Sequence, residues 1–393
     1  MSADEQRLQR WRSVRRVLAV RLDNLGDVLM TTPALAAIRQ SVPGVHISLL
    51  TSPAALSAAR CVREVDDVIA FDAPWSKASD TAHDADAPNA AEQRLLEQLS
   101  RENFDAAVIF TVCTQSALPA ALWCRMAGIP LRLAHSRENP YNLLSDWVPD
   151  GERVHTGMRH EVMRQLALVA HVGWVVADDH LRLALTASQR ERMRRRLHAA
   201  GAPAQRSYFV VHPGASAASR RYPAARFGIA ADAIAARGHC LPIFTGDAAE
   251  RALIAEARCA MTQPSITLAG QLDVAELAAL IDEARLLLAN NSGPAHIAAA
   301  VGTPLVVLYA LTNPQHTPWR AHARVLNHDV PCRHCLKSIC PHGHHDCLAR
   351  VEPGEVAEAA LELLGHVDST AHSPTIRKVA AQHAIHATQG FIA

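Results

Sequence analysis

The chain has 393 residues, 49% of them hydrophobic and 20% charged, a globular balance with enough length for two α/β cores. Lys and Arg number 39 against 38 Asp and Glu, leaving a formal charge of +1 that excludes the one-sided basic surface of a general nucleic-acid binder. No run approaches the ~20 apolar residues of a spanning helix, and residues 1–16 are too polar for a secretory leader.

The expected location is therefore the cytoplasm. A locally basic lead-in (Arg7, Arg10, Arg12, Arg15, Arg16) reads either as a solvated approach to the first strand or as a contact to the inner membrane face. Arg16 to Leu22 then predicts a strand, Val28 to Gln40 a helix and Val45 to Thr51 a second strand. Val65 to Phe71 and Phe104 to Val112 predict further buried strands. The Ala/Asp-rich residues 76–92 between them predict a surface loop entering a helix. A charged helix, Ser188 to Ala200, precedes a second series. Its strands are Tyr208 to His212, Leu241 to Thr245, Ile266 to Leu268, Leu286 to Ala289 and Leu305 to Tyr309. Helices are expected between them, at Ala224 to Ala236, Ala248 to Ala260, Val274 to Ala284 and Ala295 to Val301.

Alternating strands and helices predict two Rossmann-like parallel-sheet domains facing across a cleft. The expected division is 1–175 and 176–365, with a tail at 366–393. Such sheets bind ligands at the carboxyl ends of their strands. The loops leaving the strands are thus the places to look for chemistry.

The first strand leaves through Asp23, Asn24, Leu25, Gly26 and Asp27. This is no G-x-G-x-x-G fingerprint, which disfavours a nicotinamide oxidoreductase. Asp27 can cap the following helix or act as a base, and both readings stay open. The second series opens with His212, Pro213, Gly214, Ala215 and Ser216, followed by Arg220 and Arg221. Small residues before paired guanidinium groups suit a diphosphate, although a solvated basic lead-in has the same composition. Gly246 with Glu250, Gly270, and the run Asn291, Ser292, Gly293, Pro294, Ala295, His296 follow three later strands. A helix starting at Pro294 would turn free N–H groups toward a leaving anion.

The ordered set L-D-N-L-G-D-V-L-x-T-x-P-A-L, H-P-G-A-S…R-R-Y-P-A-A-R-F, L-A-G…L-A-A-L-I and N-N-S-G-P-A-H-I-A-A-A-x-G-T-P spans roughly residues 16–364. It resembles glycosyltransferase family 9, the ADP-heptose:lipopolysaccharide heptosyltransferases, which have the GT-B fold. The resemblance implies an inverting transferase with the acceptor on the first domain and an ADP-sugar on the second. Asp27 would be the general base. The donor would meet Asn24, Gly26, His212, Gly214, Ser216, Arg220, Arg221, Gly246, Glu250, Gly270, Asn291, Ser292, Gly293, Pro294 and His296. The implied partners are an ADP-sugar and a glycan or glycolipid acceptor, with no nucleic acid and no cofactor required for the chemistry. Two positions depart from the family's habit: Arg220 stands where Lys is frequent, and Asn291 where Asp is frequent. Alternatives are a family 9 transferase with another nucleotide-sugar or a protein acceptor, and a degenerate nucleotide-binding protein.

Nine cysteines in a cytoplasmic chain are expected to be reduced. Four of them, Cys332, Cys335, Cys340 and Cys347, cluster with His334, His342, His344 and His345. They read as a structural zinc (or other metal) clasp or as plain reduced thiols. Acceptor choice is expected in variable loops at residues 72–95 and 135–160, where His155, Arg159 and His160 read either as a polar acceptor rim or as ordinary exposed loop residues.

Overall fold

The computed structural model describes residues 2–76, 90–155, 157–203 and 205–371. The first sheet holds β1 (Arg16–Arg21), β2 (His46–Thr51), β3 (Asp67–Ala70), β4 (Ala106–Ile109), β5 (Leu131–Ser136) and β6 (Asp146–Pro149). Their spatial order is β3-β2-β1-β4-β5-β6, every pairing parallel. The second holds β7 (Tyr208–His212), β8 (Leu241–Phe244), β9 (Ile266–Thr267), β10 (Leu287–Asn290), β11 (Leu305–Leu308) and β12 (Ala323–Leu326). Its order, β12-β11-β10-β7-β8-β9, repeats the first. In each sheet the opening strand lies inside, so its carboxyl end faces the crevice where the strand order reverses.

Both faces of each sheet are covered, which explains the continuous apolar runs. Along β1, Val17 and Ala19 enter one buried cluster while Leu18 and Val20 enter the other. Phe209 and Val211 of β7 alternate in the same way with Val210. Helix Leu25–Ser41 follows β1 and runs on through Pro33, which has no N–H for the Leu29 carbonyl. The Thr32 hydroxyl donates to that carbonyl instead, at 2.7 Å.

Several expected boundaries change. The basic lead-in is the helix Ala3–Arg12, closed by a capping box between Ser2 and Glu5 and anchored through Trp11 on Trp174 at 5.2 Å. Residues 135–160 carry β6 and the end of β5 rather than a loop. β12 and the helices Leu118–Met126 and Glu161–Ala170 also lie outside the elements read from the sequence. The expected loop at 76–92 falls mainly on residues outside those described, as does the tail beyond Ala371. The last helix, Pro353–Ala371, packs against helix Ala224–Gly238. Among the described residues no helix is long and apolar enough to cross a membrane.

Candidate active site

Helix Leu25–Ser41 and helix Gly293–Val301 follow β1 and β10, and their N-terminal turns pack against each other across the crevice. Each start presents a glycine to the other. A Cβ on Gly26 would lie 2.7 Å from Cδ2 of His296, and one on Gly293 would lie 2.8 Å from Cδ2 of Leu25. These glycines thus permit one helix start to approach the other, a role beyond the ligand contact read from the sequence. Helix Gly293–Val301 has no side-chain cap; Pro294 lacks an N–H and the Ala295 amide donates to the Ser292 carbonyl at 3.0 Å, which leaves the Gly293 amide available to an anion.

A cleft of about 360 Å³ opens beside this junction. Asn24, Gly26, Asp27, His212, Ser216, Arg220, Gly246, Glu250, Asn291, Ser292, Gly293, Pro294 and His296 all line it. Three expected residues lie behind this wall. Gly214 sits beneath the Glu250 carboxylate, where a Cβ would come within 1.9 Å of Oε1. Arg221 donates from Nε to the Ala215 carbonyl at 2.7 Å and so braces the turn instead of lining the cleft. The Gly270 amide donates to the Gly246 carbonyl at 2.8 Å.

Two buried nitrogens on the cleft wall have no partner among the described residues, Nδ2 of Asn291 and Nδ1 of His296. Buried polar atoms are seldom left unpaired. These two are therefore suited to a ligand. Burial lowers His296 to about 3 and His212 to about 4, so both imidazoles are neutral at pH 7. His212 engages the Thr245 hydroxyl through Nδ1 at 3.0 Å. Arg220 is therefore the cleft's cation, and no described side chain forms an ion pair with it.

Asp27 caps the helix and also faces the cleft, so its place is compatible with both readings that the sequence left open. Its Oδ2 accepts from the Asn24 amide at 3.2 Å, which caps the helix, while the side chain remains 14% exposed in the cleft. Its Oδ1 faces Nη2 of Arg21 at 3.3 Å. Arg21 is fully buried and also holds Asp23 at 2.8 Å and Glu161 at 2.9 Å. Burial would lower the guanidinium, but Asp23, Glu161 and Asp27 together hold it above the usual arginine value. Burial likewise pushes Glu161 up, yet Arg21, His316 and Gln165 outweigh it and hold the carboxyl at about 2.

This network continues across the cleft. Oε1 of Glu161 accepts from Gln165 at 2.6 Å, and Oε2 lies 3.4 Å from Nε2 of Gln315 and 3.9 Å from His316. His316 lines the cleft, and sequence reasoning missed it. It follows Leu308, the end of β11, so its place in a loop leaving a strand was the available signal. The expected acceptor rim also changes. His160 stacks on Trp319 at 4.6 Å and bonds to the Thr317 carbonyl at 2.8 Å, whereas Arg159 is paired with Glu152.

The four late cysteines gather around a separate cavity of about 20 Å³ with His344 and His345. The donor set suits a soft metal. The approach of Cys332 Sγ to Nε2 of His344 is loose, at 3.9 Å. Among the described residues the one group with three donor atoms within 4.8 Å of one another is Asp178, Asp179 and His180, which is largely exposed. The cysteine loop also props the cleft wall formed by the second domain. The Ser219 amide donates to the Ser338 carbonyl at 2.9 Å and its hydroxyl to that of Lys337 at 2.6 Å, next to Arg220.

The family model for glycosyltransferase family 9 (heptosyltransferase) matches residues 93–345. Lipopolysaccharide heptosyltransferase 3 of Escherichia coli is 27% identical over 303 residues, covering 75% of this chain and 83% of that protein. Lipopolysaccharide heptosyltransferase 1 of Pseudomonas aeruginosa is 27% identical over 333 residues, covering 83% and 87%. In fold, E. coli ADP-heptose lps heptosyltransferase II matches with a TM-score of 0.70 at 21% identity, over 90% of this chain and 99% of that one. The family 9 transferase of Veillonella parvula gives 0.72 at 21% identity, over 90% and 97%. The fold is GT-B, and this chain belongs to glycosyltransferase family 9, the heptosyltransferases of lipopolysaccharide biosynthesis.

Proposed function

We propose that the enzyme transfers a heptose from ADP-heptose to a lipopolysaccharide-core or related glycan acceptor with inversion. The observation that carries this reading is the placement of Asp27. Its carboxylate shares one cleft with an uncapped helix start and with Arg220, which no described side chain pairs. An acceptor hydroxyl oxygen attacks the anomeric carbon as the bond from that carbon to the diphosphate oxygen breaks, and the hydroxyl proton passes to Asp27. Arg220 and the amides of Ser292 and Gly293 take up the charge developing on ADP. The Nδ2 of Asn291 and Nδ1 of His296 find acceptors on the same ligand. Glu250 and Gly246 border the ribose end.

The four cysteines are assigned to a structural metal that would brace the loop behind Ser219, outside the chemical step. The exposed arginines of helix Ala3–Arg12 are assigned to contact with an anionic membrane face.

Asp27→Asn separates the base from the cap, because an amide oxygen can still accept from Asn24. Transfer from ADP-heptose should fall by roughly 10²–10⁴-fold. The thermal shift with ADP should be retained and should exceed those with UDP and GDP. Near-normal turnover in this variant would remove Asp27 from the chemistry, and a selective UDP or GDP shift would replace the donor.

A further inference from the structure

Gln315 belongs to the second domain, yet its side chain is buried against the first. Asn313 and Pro314 open a single 3-10 turn after β11, in which the Asn313 side chain accepts from the Gln315 amide at 3.1 Å. The Tyr309 hydroxyl accepts from the next amide, that of His316, at 3.3 Å. So held, Gln315 is 2% exposed and meets two elements of the first domain. Its Oε1 accepts from the Cys113 thiol, beyond β4, at 3.5 Å, and its Nε2 reaches Oε2 of Glu161 at 3.4 Å. The residues that follow grip the same surface. His160 caps helix Glu161–Ala170 by accepting from the Val162 amide through Nδ1 at 3.1 Å, so its proton sits on Nε2 and is donated to the Thr317 carbonyl at 2.8 Å. Trp319 stacks on that imidazole at 4.6 Å and donates to the Asp179 carbonyl at 2.9 Å. A polar chain therefore runs from Gln315 through Glu161 and Arg21, both fully buried, to Asp27.

We propose that residues 313–319 are a latch between the two domains, and that Gln315 is a positioning residue which brings Asp27 into register with the second-domain wall of the cleft for the chemical step. The inference rests on the transferase reading above and adds how its two halves are aligned. The bond being made joins atoms carried by different domains, so its geometry depends on what fixes one domain against the other. A misplacement of about 1 Å is enough to cost about 10²-fold in rate. The contact between Gln315 and Glu161 is long for a hydrogen bond, and closure of the cleft would shorten it. Gln315 stands behind His316, which lines the cleft, so the latch acts on alignment rather than on the nucleotide.

Gln315→Met keeps the volume and removes the amide. Transfer from ADP-heptose to a deacylated lipopolysaccharide-core oligosaccharide is followed by ADP release, and amide hydrogen exchange over residues 22–30 of the full chain is read by mass spectrometry. In the variant kcat should fall by roughly 10–100-fold, while KM for ADP-heptose changes less than about twofold and the thermal shift with ADP is retained. The Asp27 and Val28 amides donate to the Asn24 carbonyl at 3.0 and 3.1 Å, and their exchange should quicken although the substitution lies in the other domain. Trp319→Ala loosens the latch from its other end without touching Gln315 and should reproduce both effects more weakly. A kcat within about twofold of the unmodified chain, a loss confined to KM, or unaltered exchange at residues 22–30 would each overturn the proposal. Absence of transfer by the unmodified chain would instead overturn the transferase reading, and the exchange result would still decide whether the latch holds the Asp27 turn.

Discussion

Acidification should unfold this protein early, because four imidazoles are buried in it as neutral groups. Burial is the largest cause in each case, and it lowers His135, His160 and His212 to about 4 and His296 to about 3. An unfolded histidine titrates near 6.5. Below that pH the unfolded chain takes up protons that the folded chain refuses. Stability is therefore complete above about pH 6.5 and falls as pH drops, until the folded groups themselves protonate near 4. Each imidazole contributes about 1 kcal/mol per pH unit in this window, so four remove about 4 kcal/mol between pH 6.5 and 5.5. That is a large share of a typical folding stability of about 5–15 kcal/mol. Guanidinium unfolding followed by circular dichroism at pH 8, 7, 6 and 5.5 measures it directly. Replacing His212 by Asn, which keeps a polar partner for Thr245, should flatten the slope by about a quarter. A midpoint that stays constant from pH 7 to 5.5 would refute neutral burial as the controlling term.

Glu161→Gln, measured at pH 8 where the histidines are quiet, should cost about 3–5 kcal/mol, because it leaves the buried Arg21 short of a carboxylate. A loss below about 1 kcal/mol, typical of an exposed pair, would show that Glu161 adds little to the network. Gly228→Ala should lower the melting temperature without affecting ADP binding. Its Cβ would stand 1.9 Å from the Ala257 carbonyl oxygen, forcing helices Ala224–Gly238 and Arg251–Cys259 apart at about 1–3 kcal/mol. An unchanged melting temperature would mean that this helix contact is looser than the structure gives it.

The sequence by itself determined the alternation of strand and helix, because strands covered on both faces must be continuously apolar and their exits must be small and polar. It also located most of the residues that line the main cleft. Asp27, Arg220 and the Asn291–His296 run all follow strand ends, where local spacing is enough to place them on the crevice. Elements whose polar residues are satisfied only in three dimensions could not be read this way. β5 buries Arg132, whose guanidinium is taken up by the carbonyls of Ile129, Pro130, Asn142 and Leu143, and nothing local announces those partners. Helix Ala3–Arg12 looked like a solvated basic segment because its anchor, Trp174, lies far along the chain.

Tertiary structure alone decided how Asp27 is held. Its partner Arg21 reaches Glu161, 140 residues away, and Glu161 in turn reaches Gln315 and His316 on the opposite wall. The same holds for Gly26 and Gly293, whose missing side chains make room for His296 and Leu25 across the junction. Spacing along a chain fixes which loop a residue occupies. The contacts that orient its charge come from whatever the two sheets bring opposite it.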